Sequence, residues 1–321
     1  MKNTKYRSIL VTGASGFVGR RLMRALAKNY PGAQITGVGG PARSHDKNLG
    51  IDLSDRSATA GLITKISPDV VFHLAAQSSV GSANIRPTEV WRSNFEGTAN
   101  LADSLADQEK PSLLVFASTA EVYGETFRAG PCTEQSPVAP VSSYGRSKIA
   151  AEYYLKDLAR ENMRVVCLRL FNHIGPGQDS RFVVPSFAEQ IAQIESRTGT
   201  GIISVGNLGA FRDFTSVDDI IRAYLLLLSD TSLAQYDVYN VGSGHLVSIK
   251  KILEDLIDLS KASVSIERDP TRFRPIDIER AEGVFQKFEN KFDWVPQVPL
   301  RDTLSLMLDH ARAEVSAQSS T

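Results

Sequence analysis

Tyr144 and Lys148 stand four residues apart in Tyr144-Gly-Arg-Ser-Lys148, a spacing that stacks two side chains on one face of a helix. An ammonium beside a phenol stabilises the phenolate and lowers a pKa that starts near ~10, which makes Tyr144 a usable acid or base near neutrality. Such a pair alone is common on protein surfaces. Upstream, however, Phe116-Ala-Ser-Thr119-Ala-Glu121-Val-Tyr-Gly124 ends an apolar run in hydroxyls. Strand ends of an α/β sheet face the ligand crevice, so Thr119 is placed to meet the same reacting group.

A third feature lies near the start, in Thr12-Gly-Ala-Ser-Gly-Phe-Val-Gly19. Glycines at 13, 16 and 19 let the backbone turn tightly and approach a pyrophosphate, which then sits on a helix N-terminus. Gly13, Ser15, Gly16, Phe17, Val18 and Gly19 are therefore expected cofactor contacts. A NAD site commonly carries an acidic residue at the end of the second strand for the ribose 2′-OH. That place reads Gly37-Val-Gly-Gly-Pro-Ala-Arg43, with no carboxylate and one Arg. A guanidinium at Arg43 suits a 2′-phosphate, so NADP(H) is favoured and NAD(H) stays possible. Asp52 and Leu53 are placed to meet the adenine end, with capping of the next helix as the plainer role for Asp52.

Composition narrows the class. There are 36 Lys+Arg against 36 Asp+Glu in 321 residues, so the net charge is zero. A nucleic-acid binder needs a surplus of cations on one face, so no nucleic-acid partner is expected. Cys132 and Cys167 form neither a disulfide framework nor a Cys-x-x-Cys pair. The five histidines have no metal-ligand spacing, and no metal is expected. The first apolar stretch ends at Gly13, too soon for a signal-peptide core, and no run reaches the ~18 apolar residues of a membrane span. A cytoplasmic protein without membrane contact is expected.

The elements that must carry these residues alternate. Ile9–Thr12, Ile35–Val38, Val70–Leu74, Ser112–Ser118 and Val165–Leu170 read as strands, and Arg20–Tyr30, Thr88–Gln108 and Tyr144–Glu161 as helices. Continuous hydrophobicity in the strands means that both sheet faces are covered. The expected fold is α/β, a doubly wound parallel sheet of the Rossmann kind, with a smaller α/β C-terminal substrate domain. Beyond about residue 170, Gly175-Pro-Gly177 breaks the rhythm. Helices near 185–194 and 220–229 and strands at 202–205 and 238–241 follow, then two more helical patterns over 246–321. The division expected is 1–170 plus about 212–245 for the dinucleotide, and about 171–211 plus 246–321 for the substrate.

Three chemical features in this order are more specific than any one of them. TGASGFVG, HLAAQSSV (73–80), the Asn of WRSNFEGT (91–98), STAEVYG, YGRSK and RLFNHIGPGQ (169–178) together resemble the blocks of extended short-chain dehydrogenases/reductases that modify nucleotide sugars. The resemblance runs from about Ser8 to the C-terminal helix. It implies that Thr119, Tyr144 and Lys148 are catalytic and that Leu74, Ala75, Ala76, Asn94 and Phe171 lie near the cofactor. Within the family, residues 171–178, 182–185 and 206–214 are most similar to those of GDP-4-keto-6-deoxy-D-mannose reductases. That likeness implies a GDP-linked 4-keto-6-deoxy sugar as substrate and GDP-D-rhamnose as product.

The resemblance also implies roles for the second half. Arg212 and Arg274 would grip a diphosphate, as planar guanidinium groups do. Asn172 would touch the diphosphate or sugar, Val184 the base, and Ser78 the substrate. His173 is as readily a packed histidine as a ligand contact. Glu121 leaves the reaction open, because dehydratases of this kind use a Glu beside the catalytic Thr. A GDP-mannose 4,6-dehydratase, a 4-epimerase or a non-catalytic dinucleotide sensor are the alternatives. The resemblance further implies a homodimer, paired across a two-fold axis through the long helices at 88–108 and 144–161.

Overall fold

The structure is a computed structural model, and it describes residues 6–40, 48–78, 86–230, 232–273 and 278–318. Arg43 and Arg274 lie outside the described residues. The strands are β1 (Ser8–Thr12), β2 (Gln34–Gly39), β3 (Leu49–Gly50), β4 (Val70–His73), β5 (Ser112–Thr119), β6 (Met163–Leu170), β7 (Asn172–Ile174), β8 (Thr200–Val205), β9 (Phe211–Ser216), β10 (Tyr236–Val241), β11 (Leu246–Ser248), β12 (Ser263–Arg268) and β13 (Arg280–Ala281). The helices are α1 (Phe17–Asn29), α2 (Arg56–Ile66), α3 (87–106), α4 (Ser143–Leu158), α5 (Val183–Arg197), α6 (Val217–Leu227), α7 (Ile249–Asp258), α8 (Gln286–Phe292) and α9 (Leu300–Gln318).

β1 and β4 are apolar on both faces because helices cover both, and almost every residue in them is buried. They belong to a parallel sheet in the order β10-β6-β5-β4-β1-β2-β3. Strand order reverses between β1 and β4, so the loops after them diverge and open a crevice at their C-terminal ends. β10 returns to this sheet beside β6, in register from Tyr236↔Val165 to Val241↔Leu170. One face of the sheet packs on α1 and α6 through Leu22, Leu26, Ile220 and Tyr224. The other packs on α2, α3 and α4 through Leu62, Leu101 and Leu155. Full burial of each such side chain is worth about 1.5–3 kcal/mol.

A second core gathers Val184, Phe187, Ile191, Ile252, Leu256, Leu304 and Leu308 from α5, α7 and α9. β7, β9, β11 and β13 form a small mixed sheet beside it, and β8 pairs with β12. Phe288 and Trp294, far along the chain, pack into the β1 core and not into this second one. Among the described residues, 246–318 hold three α-helices, α7, α8 and α9, where the pattern predicts two. The extra one is α8, about two turns long, whose seven residues are too few for a clear period.

The 88–108 segment departs from its expected form. It runs as Pro87–Trp91, a π-helical stretch at Arg92–Glu96, and Gly97–Ala106. π-turns inside α-helices occur often at functional sites, and Asn94 sits in this one, fully buried. Among the described residues, no helix is long and apolar enough to cross a membrane.

Candidate active site

The glycine loop joins β1 to α1. Gly13 has φ +70°, and a Cβ on it would lie 2.8 Å from Ala75 N and Leu74 C. Only glycine allows both the left-handed backbone and this approach of the two divergent loops. Gly16 caps α1 without a side chain, and no acidic residue stands in the first turn. Among the described residues, no side-chain hydrogen bond caps that helix end, which suits an anionic pyrophosphate. Phe17, in the first turn, stacks on His173 with centroids 6.3 Å apart, and Arg21 lies over the Phe17 ring. His173 also approaches Phe171 O at 3.2 Å, and burial lowers its pKa. It packs beside the loop as a neutral ring.

Thr119 ends β5, its hydroxyl accepts from Glu121 N at 3.2 Å, and it lies close enough to the Tyr144 phenol to act on its pKa. α4 starts at Ser142, whose hydroxyl accepts from Gly145 N at 3.0 Å. That cap sets Tyr144 in the first turn, against Val90 of α3. Thr119, Tyr144 and Lys148 are all nearly sealed from solvent.

One expectation fails in detail. The Lys148 ammonium lies 3.9 Å from the centre of the Phe116 ring, and it is absent from the groups that perturb Tyr144. Burial instead pushes the Tyr144 phenol up to about 12, with Thr119 pulling it down and Glu121 adding to the rise. Lys148 is lowered to about 7 by burial, against the pull of Cys167 and Glu152. The helix spacing does align the two residues, but the lysine stem turns down onto the sheet. The phenol is thereby kept protonated, the state of a proton donor.

Beneath this pair lies a polar network. Ser118 donates to Glu152, and Arg169 of β6 reaches the same carboxylate through Nη2 at 2.7 Å. Arg169 Nη1 also donates to the Tyr123 hydroxyl at 3.0 Å, which in turn donates to Asn240 Oδ1 at 2.6 Å. Sequence reading missed Glu152. The signal was the Tyr144–Lys148 spacing carried on by one more turn.

The other expected residues divide. Ala75 N donates to Thr12 Oγ1 at 3.3 Å, and Asn94 holds Gln77 by N–H to Oδ1 at 2.8 Å and Nδ2 to O at 3.2 Å. Leu74 and Ala76 line the same loop partly buried, and Ser78 is exposed beyond it. The Asp52 carboxylate is engaged by Ser54 N at 3.0 Å and by Arg92 at 3.3 Å, while Asp55, not Asp52, caps α2. Leu53 is buried, and its carbonyl accepts from Asn100 at 3.0 Å. Phe171 is enclosed edge-on by Phe285 at 4.9 Å and Phe127 at 6.1 Å. Its ring packs in a core cluster, not in an open cleft.

Across the crevice, Asn172 is exposed on β7 and Val184 is buried in the second core. Arg212 projects from β9 with Nη1 2.8 Å from Phe211 O. Its neighbour Asp213 anchors the turn after β10 by accepting from Ser243 N and Gly244 N, both at 2.7 Å. Among the described residues, no group of three His, Cys, Asp or Glu side chains could hold a metal.

Comparison with known proteins places this arrangement. The profile of the NAD dependent epimerase/dehydratase family matches residues 9–242. GDP-6-deoxy-D-mannose reductase of Pseudomonas aeruginosa is 33% identical over 309 residues, covering 96% of this chain and 98% of that protein. A solved structure of RMD from Pseudomonas aeruginosa complexed with NADPH superposes with TM-score 0.81 at 31% identity, covering 96% of this chain and 99% of that one. UDP-glucose 4-epimerase of Thermotoga maritima, solved with UDP-glucose, gives TM-score 0.84 at 27% identity over 96% and 99% of the two chains.

Proposed function

The chain belongs to the NAD dependent epimerase/dehydratase family and is an NAD(P)-dependent oxidoreductase, and from that premise we propose that it reduces the 4-keto group of a nucleotide-linked 4-keto-6-deoxyhexose. The substrate we assign is GDP-4-keto-6-deoxy-D-mannose and the product GDP-D-rhamnose. The observation that carries this reading is the placement of the Tyr144 phenol, in the first turn of α4, beside Thr119 at the crevice end of β5. A donor aimed at a carbonyl oxygen is what ketone reduction needs. Similarity to a reductase of GDP-6-deoxy-D-mannose supports the sugar.

The glycine loop and the uncapped start of α1 fit a dinucleotide pyrophosphate, with Gly13, Ser15, Gly16, Phe17, Val18 and Gly19 holding it. Absence of a carboxylate from Gly37 to Gly40 favours NADP(H), as does the NADPH complex of the similar structure. When bound, the nicotinamide supplies the hydride. Tyr144 gives its proton to the sugar carbonyl oxygen, and Thr119 donates a hydrogen bond to the same atom. Lys148, one helical turn beyond Tyr144 on α4, is assigned to the nicotinamide ribose. Asn94 keeps the 74–77 loop in place. Arg212 and Arg274 take the diphosphate, and this remote grip orients the carbonyl.

Borrow-and-return chemistry is the second reading, and it rests on the similarity to UDP-glucose 4-epimerases. Supplying NADPH with GDP-, dTDP-, UDP- and CDP-linked 4-keto-6-deoxy sugars separates the two. A reductase consumes NADPH one for one with a single nucleotide preferred. Interconversion of sugars without net cofactor turnover would establish the second reading instead.

The assembly we propose is a homodimer joined through α3 and α4, which carry the exposed Trp91 and Tyr153. Two unpaired, buried cysteines suit a reducing compartment such as the cytoplasm.

A further inference from the structure

His73 is the last residue of β4, fully buried, and has no part in the chemistry above. Its two ring nitrogens both have partners: Nδ1 meets Thr12 Oγ1 at 2.6 Å and Nε2 meets Thr98 Oγ1 at 2.8 Å. The direction of each bond follows from the neighbours. Thr98 donates its hydroxyl proton to Asn94 O at 2.6 Å, so it accepts from His73 Nε2–H. Thr12 accepts from Ala75 N–H at 3.3 Å, which leaves its own proton for His73 Nδ1. The tautomer assigned from this network is therefore Nε2–H. A protonated ring would donate from Nδ1 as well and leave the Thr12 hydroxyl proton without this acceptor. Burial, with Lys148 close by, holds the imidazole down to about 3 and keeps it neutral.

The chain continues beyond Thr98. Asn94 donates from Nδ2 to Ser147 Oγ at 3.2 Å, and Ser147 donates to Tyr144 O at 2.8 Å. Ala75, at the other end, is the residue whose backbone abuts Gly13. We propose that His73 is a positioning residue that links the main chain at the glycine loop to the main chain at Tyr144. Through Thr12, Thr98, Asn94 and Ser147 it keeps the dinucleotide loop and the catalytic helix at one spacing. An apolar side chain could fill the volume but could not join the two ends. The inference rests on the dinucleotide reading of the preceding subsection.

Thr12 and Thr98 share His73 as their link, so a double-mutant cycle isolates it. Thr12→Val, Thr98→Val and the double variant are titrated with NADPH by fluorescence, and melting temperatures are recorded beside the affinities. Thr98→Val, altered on α3 and away from the glycine loop, should bind NADPH about 3–10-fold more weakly. The double variant should be no more than about 2-fold weaker than Thr12→Val, because one cut already breaks the chain. Unchanged affinity in Thr98→Val, with only a lower melting temperature, would reduce His73 to a packing residue and overturn the proposal. So would losses that multiply in the double variant. Imidazole ¹⁵N shifts of the wild type test the chain without any ligand: a neutral Nε2–H ring at pH 5.5 supports it, and a protonated or Nδ1–H ring sinks it. A wild type that binds neither NADPH nor NADH would instead overturn the dinucleotide reading.

Discussion

Arg169 on β6 closes on Glu152 of α4 with Nη2 2.7 Å and Nε 3.1 and 3.2 Å from its carboxylate oxygens, the two side chains being only 7% and 1% exposed. Burial pulls the guanidinium pKa down, but Glu152 outweighs it and holds Arg169 above its usual value. Removing one partner leaves a buried charge unpaired, at about 3–5 kcal/mol. Glu152→Gln should lower the urea midpoint accordingly, and pairing Arg169→Met with Glu152→Leu should recover most of the loss. A single variant as stable as wild type would show that water reaches the pair.

Tyr144→Phe keeps the ring packed on Val90 and removes the proton donor. Turnover should fall about 10²–10⁴-fold, with NADPH affinity within a few-fold of wild type. Retention of more than about a tenth of the rate would mean that another group is the acid.

Lys148 gives a stability that depends on pH. Its folded pKa, lowered by burial to about 7, lies below the 10.5 of the free side chain. Below pH 7 the folded protein carries the buried charge at full cost. As pH rises towards 10.5 the unfolded chain binds more protons than the folded one, and stability increases. Lys148→Met should therefore be more stable than wild type at pH 6.5, with the gap narrowing by pH 9.5. Melts at the two pH values showing a constant gap would exclude a lowered lysine.

Arg212→Ala should lower kcat/KM for the nucleotide sugar about 10–150-fold, the equivalent of a lost hydrogen bond to a charged group at about 1.5–3 kcal/mol. NADPH binding should hardly change. Arg274→Ala is expected to behave likewise. Full activity in both would move the diphosphate elsewhere, and weaker NADPH binding would assign them to the cofactor.

Light scattering at micromolar concentration should report a dimer. Trp91 and Tyr153 are 36% and 56% exposed on adjacent helices, and charges there should split the pair. The double variant Trp91→Glu, Tyr153→Glu should run as a monomer with its melting curve otherwise cooperative. A wild-type monomer would end the idea.

Local features were legible in the sequence. The Gly13 turn, the end of β5 at Thr119 and the Tyr144–Lys148 spacing each depend on neighbours within one or two turns of chain. What escaped depends on distance. Glu152 and Arg169 are 17 residues apart, and His73 meets Thr12 and Thr98 from 61 and 25 residues away. Nothing in a list of scattered histidines reveals that one is threaded between two threonines. The direction of the Lys148 side chain was equally hidden, because helix periodicity fixes the face a residue occupies but not how deep its stem dives. Phe171 was read as a cofactor neighbour for its place in a motif, yet two aromatic rings, Phe127 and Phe285, claim it as packing.

The π-turn at Arg92–Glu96 adds one residue to a helix otherwise wound at the usual pitch, and so divides α3 into two angular phases. Before it, Val90 is aligned with Tyr144; after it, Leu101 and Leu105 are aligned with the sheet, and Thr98 with His73. A regular helix could not serve both alignments, since each residue turns its successors by about 100°. The chain length between Val90 and Thr98 is thus a setting, like the offset between two gears on one shaft. Insertions and deletions there act as rotations: losing a single residue after Asn94 would swing Thr98 away from the imidazole while leaving Val90 against Tyr144.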